Sequence, residues 1–338
     1  MDALKAIGIV LVVLGHAVDG SRLHDLIYSF HMPLFFFAAG CVFPGERSGA
    51  GFRALFRQRI QVHVRYYVWF SLIGIAYFML VKHLGPDRRA LDELLVNRSI
   101  SLLTASASFS WPGLAPEVTV WPVALWFFPA LVWCLSAWAL VLRCRVPVLA
   151  GMALGVWSIG WWVLEAGGLP WSLDAAALAF PFVVVGGIFQ RGALLVPPPS
   201  QAVRAVALAV LCSGLALIWH LSAALLPFTP RALELLRLFG FAAVVMPLAV
   251  LLAGMRWAPW SARIVHTLSR SALLVFPFHI IVFSIVDNLV RRLHGLEHGL
   301  AYGEPAGVVL RVGVSFLVLV PAHALWFGRR AARCAPAA

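Results

Sequence analysis

Val120-Trp-Pro-Val-Ala-Leu-Trp-Phe-Phe-Pro-Ala-Leu-Val-Trp-Cys-Leu-Ser-Ala-Trp-Ala-Leu-Val-Leu142 runs from end to end without a charged residue. A surface helix of a soluble protein keeps a polar face, and this stretch has none. Its length suits a bilayer, whose hydrocarbon core takes about 20 apolar residues to cross as a helix. Working outward, comparable segments recur near 3–18, 27–43, 62–82, 148–165, 174–190, 203–222, 234–254, 264–287 and 306–327. Lipid offers no hydrogen bonds to a backbone, so such segments are read as helices. The sequence thus predicts an all-α, polytopic transmembrane helical bundle of about ten spans, a single integral membrane domain over 1–338. The first span is short.

Composition agrees. Of 338 residues, 62% are apolar and 12% charged, against roughly 25% charged in an ordinary soluble domain, and the mean hydropathy is +0.91. The formal net charge is +12. In a soluble protein that excess would suggest nucleic acid, but no zinc finger or basic–aromatic platform accompanies it. It reads instead as cytoplasmic loops obeying the positive-inside bias, with anionic lipid headgroups as partners. Cys41, Cys134, Cys144, Cys212 and Cys334 are scattered without a CxxC spacing, so they suggest neither a disulfide frame nor a metal site. The chain opens Met-Asp without a basic leader region, and no cleaved signal peptide is expected.

Pro44-Gly45, Gly85-Pro86, Pro197-Pro198-Pro199, Pro227 with Pro230, and Gly303-Glu304-Pro305 carry turn chemistry between the spans. The one long connection, 83–119, holds Asp87, Arg88, Arg89, Asp92 and Glu93; too polar to span, it is a candidate lid over the bundle. With the N-terminus in the cytoplasm, about twice as many Lys and Arg fall inside as outside. The expected orientation is N-in, C-in.

Ionisable groups within spans are costly and mark function by default. Lys5 and His16 share the first span, eleven residues and so roughly 16 Å apart along a helix axis. Lys5 would stand at the cytoplasmic edge with a titratable imidazole deep in the bundle. The plainer alternative is a snorkelling lysine and a core histidine bonded to a carbonyl. A second signal is Ser29-Phe-His31-Met-Pro33-Leu-Phe-Phe-Phe. Pro33 disfavours helical geometry at Met32, which predicts a bend just after His31 and an imidazole presented at a break.

Asp2-Ala-Leu-Lys5-Ala-Ile-Gly-Ile with His16, followed by Phe30-His31-Met-Pro-Leu-Phe-Phe36, resembles the acyltransferase family 3 membrane proteins. The nearest branch looks like the fucose 4-O-acetylase and exopolysaccharide acetylase group. Leu125-Trp126-Phe-Phe-Pro-Ala-Leu131 and Ser271-Ala-Leu-Leu-Val-Phe-Pro-Phe-His279 are similar to later motifs of that branch. The resemblance implies transfer of an acyl group, usually acetyl, from cytoplasmic acyl-CoA to a hydroxyl of a carbohydrate at the outer face of the bacterial cytoplasmic (inner) membrane. His16 would be the catalytic histidine, taking the hydroxyl's proton or carrying the acyl group itself. Lys5, Arg57 and Arg59 would bind the phosphates of acyl-CoA, and His31, His279, Trp126 and Asp2 would line the substrate pocket. The partners implied are the carbohydrate acceptor, membrane lipids and polysaccharide-assembly proteins; no nucleic acid and no metal are expected. The family usually has Ser before Gly where this chain has Ala39-Gly40, and Pro near Tyr66. The glutamate that larger relatives carry after a Trp-Ser-Leu motif has no counterpart at Trp126, so no carboxylate partner for His16 is implied. Asp19, one turn on, is expected to face outer water.

His323 lies inside the last span and reads as an interhelical hydrogen-bond donor. His294-Gly-Leu-Glu297-His298 has the spelling of a zinc-peptidase motif but no third ligand, and Asn97-Arg98-Ser99 spells a glycosylation acceptor without other support. The alternative to an enzyme is a permease or flippase for a polar solute or glycan intermediate. Transporters commonly show paired, broken halves, and none is visible here.

Overall fold

Every regular element among the described residues is helical. The computed structural model describes residues 1–43, 51–84, 99–106, 123–163, 169–193, 199–224, 229–255, 257–294 and 303–333. Twelve main helices are α1 (Asp2–Ala17), α2 (Arg22–Tyr28), α3 (His31–Val42), α4 (Gln61–Leu84), α5 (Phe127–Val141), α6 (Val146–Val163), α7 (Leu173–Ala193), α8 (Gln201–Ala224), α9 (Pro230–Gly240), α10 (Met246–Leu252), α11 (Pro259–His294) and α12 (Pro305–Arg333). Each of the ten expected spans falls on one of these or on a merged pair. Among the described residues, nine of the resulting helical segments are long and apolar enough to cross a membrane. The tenth, α1, has 16 residues, about 24 Å at 1.5 Å per residue. The chain is an all-α multi-pass membrane protein. The candidate lid over 83–119 lies largely outside the described residues, as do Glu297 and His298 of the zinc-like motif and Asn97 of the acceptor motif.

The chain divides into two compact units. One comprises Met1–Leu34, Pro199–Pro227 and Leu236–Ala338; in it α1 packs on α2, α11 and α12, α11 on α12, and α8 on α2 and α10. Some of its arginines do more than bias topology. Arg204 donates to the carbonyls of Leu251 at 2.7 Å and Ala253 at 2.6 Å, closing the C-terminal end of α10, where unpaired carbonyls favour a cation. Arg311 of α12 is fully buried and meets Asp287 of α11 through Nε at 3.0 Å and a second nitrogen at 2.8 Å.

The other unit comprises Phe35–Pro198 and Phe228–Leu235. Here α7 packs against α5 and α6, and α4 against α5, around buried Phe35, Phe36, Phe37 and Phe128. Arg191 donates to the carbonyl of Leu142, just past the end of α5, with its guanidinium 5.2 Å over the Trp138 ring. Two glycines let backbones of this unit approach closely. A Cβ at Gly40 would collide with the Val183 carbonyl, and one at Gly186 with the Phe37 carbonyl. Both obstacles are backbone and cannot rotate away. Gly186→Ala should therefore force α3 and α7 apart, costing about 1–3 kcal/mol as overpacking does. Thermal unfolding of the protein in lipid nanodiscs should register that loss, and an unchanged transition would refute so tight a crossing.

The break at His31 is displaced from its expected place. α2 ends at Tyr28 and α3 begins at His31, so the interruption falls at Ser29-Phe30, before the histidine. Pro33 sits in the first turn of α3, where its missing N–H has no partner to lose. The second span accordingly starts at Arg22, earlier than the apolar pattern alone indicates.

Candidate functional site

The hairpin between α1 and α2 is built by short-range chemistry. Gly20 takes a left-handed φ of 75°, which glycine adopts without steric cost. Ser21 then caps α2, its hydroxyl accepting from the His24 N–H at 3.2 Å and donating to the Val18 carbonyl at 2.6 Å. Gly15 is the second requirement. A Cβ there would lie 3.1 Å from Ile27 and 3.2 Å from the Tyr28 ring, so a hydrogen at this position lets α2 close on α1 beside His16.

Tyr28 closes that gap. Its hydroxyl lies 2.8 Å from His16 Nδ1 and 3.1 Å from Nε2. One hydroxyl serves one nitrogen at a time, so the other remains available to a substrate. The Tyr28 ring is held on both sides: His24 stacks on it at 3.8 Å and 18°, and His31 packs at 4.5 Å. His24 Nδ1 in turn lies 3.2 Å from Asp19 and 3.3 Å from the Gly15 carbonyl. Asp19 is exposed, and its carboxylate is directed to His24. The group within hydrogen-bond distance of the His16 ring nitrogens is a phenol.

His31 and His279 are both buried. His31 Nδ1 donates to the Ile27 carbonyl at 2.9 Å. His279 Nδ1 points at the carbonyls of Phe276, 2.8 Å away, and Val275, 3.1 Å away, on the Phe276-Pro277-Phe278-His279 turn of α11. The His279 ring centre lies 4.9 Å from that of His16. Four elements of sequence separated by up to 263 positions thus converge on a cluster of His16, Tyr28, His24, His31 and His279. The sequence reading anticipates His16, His31 and His279 and misses Tyr28 and His24. The signal for those two was the spacing: His24, Tyr28 and His31 fall at i, i+4 and i+7, one face of a helix.

Other expected site residues lie elsewhere. Asp2 and Lys5 are at the opposite end of α1 from His16. They form an ion pair of 3.9 Å, and Asp2 also accepts from the Ser269 hydroxyl at 2.9 Å. Lys5 is thus a partly compensated cation. In the second unit, Arg57 and Arg59 stand exposed on a π-helical turn, Phe56–Ile60, a local distortion frequent at functional sites. Trp126 is half-buried and ends the 3-10 turn Val123–Trp126 that leads into α5.

The cluster can hold a hydroxyl against an oriented imidazole inside an apolar frame, the arrangement that proton transfer and nucleophilic catalysis require. Tyr28→Phe keeps the ring packing and removes only the hydroxyl on His16. If that bond orients the imidazole for chemistry, the protein's activity should fall about tenfold, the value of one hydrogen bond, with membrane abundance unchanged. Undiminished turnover would make the contact incidental.

A model of the family described as an acyltransferase domain matches residues 1–323. No curated protein and no solved structure matches the chain.

Proposed function

We propose that this chain, which belongs to acyltransferase family 3, moves an acyl group, acetyl foremost, from cytoplasmic acyl-CoA to a sugar hydroxyl of a surface or exported polysaccharide or its lipid-linked precursor. The setting is the bacterial cytoplasmic membrane, with both termini inside. The observation that carries the reading is the His16 imidazole, held by Tyr28 and set against His279. A sugar hydroxyl is a poor nucleophile until a base accepts its proton as it attacks, or until the acyl group has been passed to a more reactive carrier. An imidazole serves either need.

On this reading α1 is oriented across the membrane, with Lys5 toward the cytoplasmic donor and His16 toward the acceptor. Lys5, Arg57 and Arg59 supply charge for the phosphates of acyl-CoA, to which charge-assisted hydrogen bonds are strongest. Lys5→Glu should weaken acyl-CoA binding, measured by calorimetry in nanodiscs, because it removes one cation and sets a second carboxylate beside Asp2. Unchanged affinity would confine Lys5 to its ion pair. The reading as a whole is tested by comparing the O-acyl content of exported polysaccharide from cells with and without the protein. Loss of acyl esters on deletion is expected; an unaltered ester content would defeat it.

A further inference from the structure

His279 is fully buried, and its two nitrogens have been given different fates. Nδ1 faces only carbonyl oxygens, at 2.8 and 3.1 Å, and a carbonyl can only accept, so Nδ1 must carry a proton. In the neutral ring that leaves a lone pair at Nε2. Nε2 is buried and has no hydrogen-bond partner among the described residues. A buried polar atom left unpaired costs about 1–3 kcal/mol, and native structures rarely keep one without a use. Its place beside His16, ring to ring at 4.9 Å, supplies the use.

We infer that His279 Nε2 is the atom that receives the proton of the acceptor hydroxyl, and that His16 carries the acyl group. The inference rests on the acyltransferase reading and divides the work between two histidines. In the first half, a His16 nitrogen attacks the thioester carbonyl, the carbon–sulfur bond breaks, and the thiolate leaves with the proton shed by the ring as CoA thiol. In the second, the acceptor's O–H proton passes to His279 Nε2 as its oxygen bonds to the acyl carbon. The carbon–nitrogen bond to His16 breaks, and the proton returns from His279 to His16. Both rings end as they began. Tyr28 is the positioning residue for the first imidazole, and the Phe276 and Val275 carbonyls fix the tautomer of the second.

The discriminating probe is an acceptor that needs no base. Hydroxylamine attacks acyl groups unaided, so its acetylation from acetyl-CoA by protein in nanodiscs, corrected for the protein-free reaction, reports the His16 half alone. His279→Asn keeps an N–H toward the two carbonyls and lacks the Nε2 lone pair. It should leave acetohydroxamate formation unchanged while lowering polysaccharide O-acetylation in cells by about 100-fold, the share of a general base. His16→Ala should lose both. Polysaccharide acetylation near the wild-type level in His279→Asn would overturn the assignment, as would a parallel loss of acetohydroxamate. A wild-type protein that supports neither reaction would defeat the acyltransferase reading itself.

Discussion

His16→Ala is expected to lower acyl transfer by at least about 100-fold, the minimum contribution of a positioned catalytic imidazole, and to leave the protein inserted and folded. The selectivity of that loss follows from what holds α1. Leu4, Ile9, Val12, Val13 and Ala17 are buried on its inner face, and these, with Gly15, fix the helix against α2 and α11. His16 is only half-buried and shares ring contacts with Tyr28 and His279. Truncating it removes one hydrogen bond and little apolar area. The measurement is polysaccharide acyl content at matched membrane abundance. Full acyl content in the variant would remove His16 from the chemistry, and loss of the protein from the membrane would make it a structural residue.

Arg311→Ala is expected to have the largest effect on stability. Arg311 is fully buried, and its guanidinium places two nitrogens on one oxygen of Asp287. Removing Arg311 strands the part-buried carboxylate of Asp287 between α11 and α12, a loss of about 2–3 kcal/mol, below the cost of breaking a fully buried pair. Removing both partners should be far milder. Arg311→Met with Asp287→Leu replaces the pair by apolar volume, and such exchanges are often neutral. A double-mutant cycle on thermal unfolding therefore predicts a large single-variant loss that the second substitution restores. Additive losses would show that the two side chains act independently.

Much of the fold was legible because lipid imposes a simple rule. Uncharged runs have one way to satisfy their backbones, and the described part of 120–142 is helical over Val123–Val141. Boundaries set by local chemistry were less legible. The apolar pattern begins near 27, but Ser21 and Gly20 start the helix at Arg22, and Pro33 marks a first turn where a bend was expected. His16, His31 and His279 stood out as ionisable residues in apolar surroundings. Tyr28 did not, because a tyrosine near a membrane boundary is ordinary and its hydroxyl matters only once Gly15 lets it close on His16. The Arg311–Asp287 pair was in principle readable, since each is an isolated charge within an apolar span; which charge meets which is decided by packing. Arg191 and Arg204 read only as topology signals, while their bonds to helix-end carbonyls depend on neighbours distant in sequence.

The central claim is that this membrane protein moves an acyl group by way of His16. The most direct measurement incubates purified wild-type and His16→Ala protein in nanodiscs with acyl-labelled acetyl-CoA and polysaccharide de-esterified from the producing cells. Label should appear in the polysaccharide, with one CoA thiol released per ester formed, only with the wild-type protein. Equal transfer by both proteins, or release of CoA without any ester, would contradict the account.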